Sequence, residues 1–225
     1  MKFDIKNHNF VLLKILKDVY EEESIGPILG FKGGTAVYFF YKLPRCSIDL
    51  DFDLLDITKK EFVFEKIKEI INQYGIIKNL YIKRYNLFFL LSYKNASKNI
   101  KIEINLRDFD SSYEFKNYLG IPMLVMIKKD MTAHKLVAMY ERMAARDIFD
   151  VWFFLKNNWQ INEKIIKQRT GFDLNHFLKK LIDKLEKFPN KQILSGVGEL
   201  INEKQEDWAK DKLKQETLFL LKLYL

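Results

Sequence analysis

The order of apolar and polar residues predicts helices mixed with strands in the N-terminal half of the chain. Apolar residues at helical spacing indicate a helix over Val11–Glu22, and a second helix is predicted over Lys59–Tyr74. Alternation with period two, which is typical of a half-buried strand, marks Ser47–Leu54. Segments rich in strand-forming residues predict three further strands, at Ile77–Arg84, Leu87–Tyr93 and Ile100–Leu106.

Helical periodicity dominates from about Met126 to the last residue of the sequence. The predicted helices are Met131–Met143, Asp147–Asn157, Asn175–Lys187 and Glu206–Tyr224. We therefore predict an α+β protein, in which residues 1–125 form a mixed-sheet core domain and residues 126–225 form a helical bundle domain.

The composition indicates a folded chain without a membrane segment. The 225 residues are 48% hydrophobic and 30% charged, which argues against a disordered protein. No apolar run approaches the roughly 20 residues of a membrane helix, and the first residues lack the apolar core of a secretory signal. A single cysteine, Cys46, excludes an internal disulfide. We expect a cytoplasmic location and no membrane partner.

The charge balance favours a polyanionic substrate or partner. Lysine and arginine outnumber aspartate and glutamate by 38 to 30, which gives a formal net charge of +8. A basic surface attracts RNA and nucleotides, although lysine-rich proteomes also produce basic proteins that bind neither. The charge therefore supports a nucleic-acid partner only in combination with a site.

The predicted strand Ser47–Leu54 carries the most informative pattern. Residues two apart on a strand point the same way, so Asp49, Asp51 and Asp53 line one face and apolar residues line the other. Like charges about 7 Å apart are unfavourable unless a cation or water meets them. Carboxylate oxygens suit Mg²⁺, and Mn²⁺ is an alternative. Two such ions can activate an attacking oxygen and neutralise a leaving pyrophosphate.

Two neighbouring segments complete a possible catalytic site. Glu103, on the alternating segment Lys101–Asn105, is the expected third carboxylate. Gly33 and Gly34 precede a predicted short helix, where backbone N–H groups and the helix dipole can hold a phosphate. Thr35 adds a hydroxyl group at the same helix terminus.

Each of these features has a simpler explanation when it is taken alone. Alternating aspartates on an edge strand can be a solvated face that prevents aggregation, and glycine pairs are common in turns. The paired phenylalanines Phe88 and Phe89 are expected in the core, and they would form a base-stacking platform only if exposed. The acidic strand and the glycine pair are harder to dismiss together, because one short helix connects them.

These residues resemble a known family. Phe31-Lys-Gly-Gly-Thr-Ala36, followed by Leu43-Pro-Arg-Cys-Ser-Ile-Asp-Leu-Asp-Phe52, is similar to the signature of the AbiEii-type nucleotidyltransferases. These are the toxin-side enzymes of type IV toxin–antitoxin systems, within the DNA polymerase β-like superfamily. The resemblance implies a nucleotidyltransferase core and a metal-binding role for Asp49 and Asp51. Asp53 lies outside the motif and receives no role from it.

The helical half contains a second motif. Lys135 and Arg142 share one face of a predicted helix, where both could meet a triphosphate. A charged face of an amphipathic helix is more often simply solvated, and Asp147 could merely complement a helix dipole. The segments His134–Arg142 and Ala145–Asp150 resemble a block of the same family. The resemblance implies phosphate binding by Lys135 and a catalytic or substrate-positioning role for Asp147.

We therefore expect transfer of a nucleoside monophosphate from an NTP to an acceptor, with Mg²⁺ held by Asp49, Asp51 and Glu103. Arg45 and Ser47 are further expected nucleotide-binding residues. The acceptor implied by the family and the charge is RNA, such as the 3′ end of a tRNA, and a protein acceptor and an antitoxin partner stay open. The alternatives are a non-catalytic nucleotide- or RNA-binding protein, and a scaffold whose sole partner is an antitoxin.

Overall fold

A computed structural model of the chain describes residues 4–93 and 98–225, which form two compact units. The first unit comprises the chain up to Lys42 together with Cys46–Asp108 and Tyr113–Met126. The second unit comprises Leu43–Arg45, Phe109–Ser112 and Ile127–Leu225. Two short segments of the N-terminal half are therefore part of the second unit.

The first unit is built on one mixed sheet. Its seven strands in the described residues are β1 (Leu29–Lys32), β2 (Leu50–Leu54), β3 (Ile76–Ile82), β4 (Asn86–Ser92), β5 (Ile100–Asn105), β6 (Tyr113–Tyr118) and β7 (Ile121–Met126). Their order across the sheet is β3-β4-β5-β2-β1-β7-β6. The strand β2 is parallel to β5 and antiparallel to β1, while β1 is parallel to β7. The acidic strand thus lies in the middle of the sheet.

Among the residues that the structure describes, the same unit has three α-helices: α1 (Ile5–Glu21), α2 (Gly33–Tyr41) and α3 (Lys60–Asn72). The side chain of Asp4 caps α1 by accepting a hydrogen bond from the backbone N–H of Asn7, at 3.0 Å. The apolar residues of β2 and β5 are buried, and they alternate with the acidic ones. Because the two sets alternate, the sheet buries an apolar face and keeps its carboxylates on the opposite face.

The second unit is helical. Its helices in the described residues are α4 (Lys128–Arg142), α5 (Ala145–Lys156), α6 (Glu163–Thr170), α7 (Leu174–Glu186), α8 (Glu203–Trp208) and α9 (Lys214–Lys222), and a π-helical turn joins the last two. The carboxylate of Glu216 accepts hydrogen bonds from the indole N–H groups of Trp152 and Trp208, at 2.8 and 3.1 Å. This pairing anchors α9 to α5 and α8.

The predicted fold class is confirmed: the structure is α+β, with a mixed sheet and a helical C-terminal region. Some predicted boundaries were wrong, since α1 begins at Ile5 and α2 begins at Gly33. The hairpin of β6 and β7 was not predicted, because β6 is a largely exposed edge strand without an apolar face. Within the described part of the chain, no helix is both long and apolar enough to cross a membrane.

Candidate active site

The acidic strand has a sheet partner on each side. The strand β2 pairs with β1 along one edge and with β5 along the other. The aspartates of β2 are therefore not charges that protect an edge strand from aggregation. The negative charge of the aspartates on this face must be compensated by another group.

Asp51 and Glu103 stand directly opposite each other on the neighbouring parallel strands β2 and β5. Residues in register on adjacent strands share a face of the sheet, so both carboxylates lie on the same side. Asp49 comes two residues before Asp51, just ahead of the first residue of β2. The flanking Leu50 and Phe52 are fully buried on the other face. The structure thus brings the two predicted acidic segments together.

A lysine supplies positive charge to the three carboxylates of Asp49, Asp51 and Glu103, which we call the acidic group. The ammonium of Lys101 lies 2.7 Å from Oε2 of Glu103 and 3.8 Å from Oδ2 of Asp49. Burial acts to lower the pKa of Lys101, but Asp51, Asp49 and Glu103 together hold it above its usual value. Burial raises the pKa of Asp51, against the opposing charge of Lys101. The alternation of the segment Lys101–Asn105 puts Lys101 on the same face as Glu103, but no sequence pattern indicates this ion pair.

Asp53 differs from the other two aspartates of the strand. Its Oδ1 accepts hydrogen bonds from Lys32 and Asn105, both at 2.6 Å, and its Oδ2 accepts one from the Tyr113 hydroxyl at 2.7 Å. Three donors from three strands hold this carboxylate in place. The arrangement agrees with the absence of a role for Asp53 in the family motif.

The glycine turn touches the acidic group. Gly33 has φ +77°, and a Cβ atom added there would collide with the carboxylate of Asp51. Both the backbone conformation and the close approach therefore require glycine. Gly33 and Gly34 form the first turn of α2, whose unpaired N–H groups and dipole favour an anion. A helix terminus that favours an anion thus adjoins the carboxylates.

Thr35, on α2, and Ser47, shortly before β2, support the acidic strand. The Thr35 hydroxyl donates a hydrogen bond to the backbone carbonyl of Asp49, and its Oγ1 lies 2.9 Å from Oγ of Ser47. Both side chains are buried. They fix the backbone at Asp49, and their predicted direct contact with a nucleotide stays a prediction.

A buried histidine also holds this segment, and sequence reasoning did not assign it a role. Nε2 of His8 donates a hydrogen bond to the carbonyl of Ile48 at 3.0 Å, and Nδ1 lies 2.6 Å from the Tyr93 hydroxyl. A carbonyl can only accept, so Nε2 carries the proton. Burial lowers the pKa of His8. The predicted first helix began at Val11, after His8, so no sequence pattern indicated this contact.

The predicted basic residues of the second unit lie in one buried ion-pair network. Arg45 binds Asp150 through two hydrogen bonds, with Nε–Oδ1 and Nη2–Oδ2 distances of 2.6 and 2.7 Å. Lys135 bridges Asp147 and Asp150 at 3.2 and 2.9 Å. Any contact of Arg45 with a phosphate, as the sequence predicts, must compete with its bond to Asp150.

Asp147 lies at the other end of the network. Arg142 binds it through Nε at 2.5 Å and Nη2 at 2.7 Å. Burial acts to raise the pKa of Asp147, but Lys135 and Arg142 outweigh that effect and hold it well below its usual range. Burial also acts to raise the pKa of Asp150, but the positive charges of Arg45 and Lys135 outweigh that effect and lower it. Asp147 is therefore more than a helix-dipole partner.

The donor chemistry of the acidic group fits a divalent cation. Among residues 4–93 and 98–225, no three side chains of the metal-binding types are close enough together to hold one metal ion. The carboxylates of Asp49 and Glu103 nevertheless share a cation, the Lys101 ammonium. Carboxylate oxygens are ligands that Mg²⁺ prefers. The group thus has suitable ligands and attracts positive charge.

This mixed sheet has the fold of a nucleotidyltransferase. The model of the family "Nucleotidyl transferase AbiEii toxin, Type IV TA system" matches residues 14–218, so the chain belongs to that family and is a transferase. The resemblance seen in the sequence is confirmed.

Solved structures share the fold. JHP933 from Helicobacter pylori is 21% identical and superimposes with a TM-score of 0.61, covering 97% of this chain and 90% of its own. A candidate nucleotidyltransferase from the same organism is 22% identical, with a TM-score of 0.57 and coverage of 97% and 96%. The uncharacterised protein aq_aa25 of Aquifex aeolicus is 28% identical over 160 residues, 67% of this chain and 70% of its own.

Proposed function

We propose that this protein transfers a nucleoside monophosphate from an NTP to an RNA acceptor, such as the 3′ end of a tRNA, in a reaction that depends on Mg²⁺. The observation that supports this proposal best is the pairing of Asp51 with Glu103 beside the glycine turn. Carboxylates next to an anion-binding helix terminus suit a reaction on a phosphoryl group.

Asp49, Asp51 and Glu103 would hold the metal ion once their side chains move closer together than they are in the structure. When bound, Mg²⁺ neutralises the phosphate charge and activates the attacking oxygen, and Mn²⁺ would serve in its place. Lys101 has to give up its contacts with Asp49 and Glu103 before a second cation binds there. Until then, the pairing with Lys101 compensates part of the negative charge of the acidic group.

The remaining steps use groups of the chain itself. The N–H groups of Gly33 and Gly34 bind the phosphates of the NTP at the start of α2. The Glu103 carboxylate accepts a hydrogen bond from the acceptor hydroxyl and so orients it. The hydroxyl oxygen forms a bond to the α-phosphorus and gives its proton to the Glu103 carboxylate. The bond from that phosphorus to the pyrophosphate oxygen breaks, and pyrophosphate leaves. Catalysis rests on positioning and charge neutralisation.

Further residues are assigned by the family resemblance. Lys135 and Arg142 would bind nucleotide phosphates, and Asp147 would position or help activate the substrate. In the structure both cations bind the carboxylate of Asp147. A phosphate of the nucleotide would therefore have to displace the carboxylate of Asp147 from at least one of these two cations.

The partners follow from the family and the charge. A type IV toxin family implies an antitoxin partner. The formal net charge of +8 suits an RNA acceptor more than an acidic protein, because every nucleotide of RNA carries a negative phosphate. We place the reaction in the cytoplasm, where RNA and NTPs are both available.

The direct test is incubation of the protein with each labelled NTP, total RNA or lysate, and Mg²⁺. We expect the label in RNA, and we expect Asp51→Asn to abolish labelling while Glu114→Gln, an exposed carboxylate on β6, leaves it unchanged. Label in protein instead of RNA would contradict the RNA acceptor. No label with any NTP, together with metal-independent NTP binding in calorimetry, would favour the non-catalytic alternative.

A further inference from the structure

A row of side chains crosses the sheet at the level of the acidic pair. The register of the strands places Lys32, Asp51, Glu103, Phe88 and Tyr81 opposite one another in sequence, on β1, β2, β5, β4 and β3. Residues in register share one face of a sheet. Two aromatic rings therefore continue the row beyond Glu103, on the side away from the glycine turn.

Phe88 does not belong to the core. Along β4, buried and partly exposed residues alternate, so Phe89 is fully buried while Phe88 lies on the opposite, partly exposed face. The sequence prediction of a core role thus holds for Phe89 and is wrong for Phe88. Partial exposure is the condition under which such a ring becomes available for stacking.

The two rings form a stack that points toward the acidic group. The ring centroids of Tyr81 and Phe88 are 4.5 Å apart, with an interplanar angle of 3°. This separation is about the spacing of neighbouring strands, so the stack runs across the sheet. One face of the Phe88 ring is covered by Tyr81, and the other face points toward β5, where Glu103 lies.

Positive charge lies over Tyr81 and around Tyr85, which is in the turn between β3 and β4. The ammonium of Lys83 lies 4.4 Å from the Tyr81 ring centroid. The guanidinium groups of Arg84 and Arg107 lie 5.0 and 5.5 Å from the ring centroid of Tyr85, which is 48% exposed. Aromatic rings interleaved with lysine and arginine are the combination that binds single-stranded nucleic acid, through base stacking and phosphate contacts.

A hydrogen bond joins strand β4, which carries Phe88, to the acidic group. The side-chain amide of Asn86, two residues before Phe88 on the same face, donates a hydrogen bond to Oε1 of Glu103 at 3.2 Å. The glycine turn lies on the other side of the row, against Asp51. If phosphates of the NTP bind at the glycine turn, the acceptor has to approach from the side of Phe88.

We propose that Phe88 and Tyr81 form a stacking platform for the terminal base of a single-stranded RNA acceptor. The base continues the stack on the exposed face of Phe88, which places the ribose hydroxyls beside Glu103. Lys83, Arg84 and Arg107 contact the phosphates of the preceding nucleotides. The inference rests on the proposed nucleotidyl transfer, because that reaction sets which side of the site the acceptor occupies.

The test uses the full chain and a short single-stranded oligoribonucleotide with 2-aminopurine at its 3′ end. Stacking of this base on a ring quenches its fluorescence. We expect the wild type to quench it, and Phe88→Leu to weaken binding about tenfold and to remove most of the quenching. Phe88→Tyr, which keeps a ring, should restore both, and Tyr81→Leu should reproduce the loss through the second ring.

Matched controls separate stacking from general damage. Phe115→Leu replaces an aromatic residue that is 76% exposed on the far edge strand β6, so it should bind as the wild type does. An oligonucleotide that lacks its terminal base should bind the wild type more weakly, and Phe88→Leu should no longer distinguish the two oligonucleotides. Equal affinity and quenching in the wild type and Phe88→Leu would overturn the platform.

Two further arms distinguish this proposal from the reaction itself. Asp51→Asn should keep oligonucleotide binding and quenching but lose transfer, so a failure of the reaction leaves the platform measurable. Conversely, transfer to RNA without any dependence on Phe88 would overturn the platform alone. Quenching of 2-aminopurine riboside triphosphate, rather than of the oligonucleotide, would assign the base to the incoming nucleotide and contradict the acceptor site.

Discussion

The backbone of Gly33 lies against the carboxylate of Asp51, so that no side chain fits between the glycine turn and the acidic strand. Gly33→Ala should therefore suffer both from its φ of +77° and from the collision with Asp51. We expect a loss of about 2 kcal/mol or more in the free energy of unfolding, measured with urea.

Gly120 provides the control, because it has φ +85° and no atom within 4 Å of an added Cβ. Gly120→Ala should lose only the conformational part, about 1 kcal/mol. Equal losses in the two variants would show that Gly33 is not packed against Asp51.

The buried His8 predicts a dependence of stability on pH. Burial lowers its pKa in the folded chain, so the unfolded state binds more protons once the pH falls below about 6.5. The free energy of unfolding should therefore decrease as the pH drops from 6.5 toward the lowered pKa, by up to about 1.4 kcal/mol per pH unit. Urea unfolding at a series of pH values measures this slope.

His8→Gln keeps a donor for the Ile48 carbonyl but removes the titrating group. The slope between pH 5 and 6.5 should become smaller in this variant, while His176→Gln, which removes an exposed imidazole, should behave as the wild type does. The same slope in all three proteins would contradict the account of His8.

The buried ion pairs of the second unit should differ in their effect on stability. Arg45 and Arg142 each bind an aspartate through two hydrogen bonds, but their side chains are 4% and 49% exposed. Arg45→Met should cost about 3 kcal/mol of unfolding free energy, because it leaves a buried carboxylate partly uncompensated. Arg142→Met should cost about 1 kcal/mol, because water replaces the exposed guanidinium. Denaturant unfolding compares them, and a reversed order would refute the argument.

Lys101 should make the acidic group less dependent on metal. In Lys101→Met the three carboxylates lose their internal cation, so we expect a loss of about 1 kcal/mol in EDTA that added Mg²⁺ largely restores. The wild type and Lys116→Met, which breaks an ion pair on β6, should gain less from Mg²⁺ in the same thermal melts. An equal effect of Mg²⁺ on all three would mean that the ion does not bind at this group.

The sequence predicts the fold where periodicity is strong and fails where a strand is largely exposed. The alternation of β2 and β5 is clear because each buries one face, whereas β6 is an exposed edge and shows none. The start of α1 depends on the cap formed by Asp4, a local hydrogen bond that apolar spacing does not show. Strand and helix boundaries were therefore less accurate than the choice of fold class.

The sequence also predicts the acidic residues of the site but not their supporting contacts. Alternation puts Asp51 and Glu103 each on one face of a strand, and only the pairing of β2 with β5 brings them opposite each other. The contacts of His8 with Ile48 and of Arg45 with Asp150 join residues 40 and 105 positions apart. Such contacts depend on tertiary packing, and no local pattern encodes them.

The central claim is that Asp51 and Glu103 act together in one catalytic site. The most direct test is the kcat/KM of nucleotidyl transfer for Asp51→Asn, Glu103→Gln and the double variant. Each single variant should lose about 100-fold or more, and the double variant should lose little beyond the worse single one, because groups that act as a unit are not additive. Losses that multiply in the double variant, or a single variant with wild-type kcat/KM, would contradict the shared site.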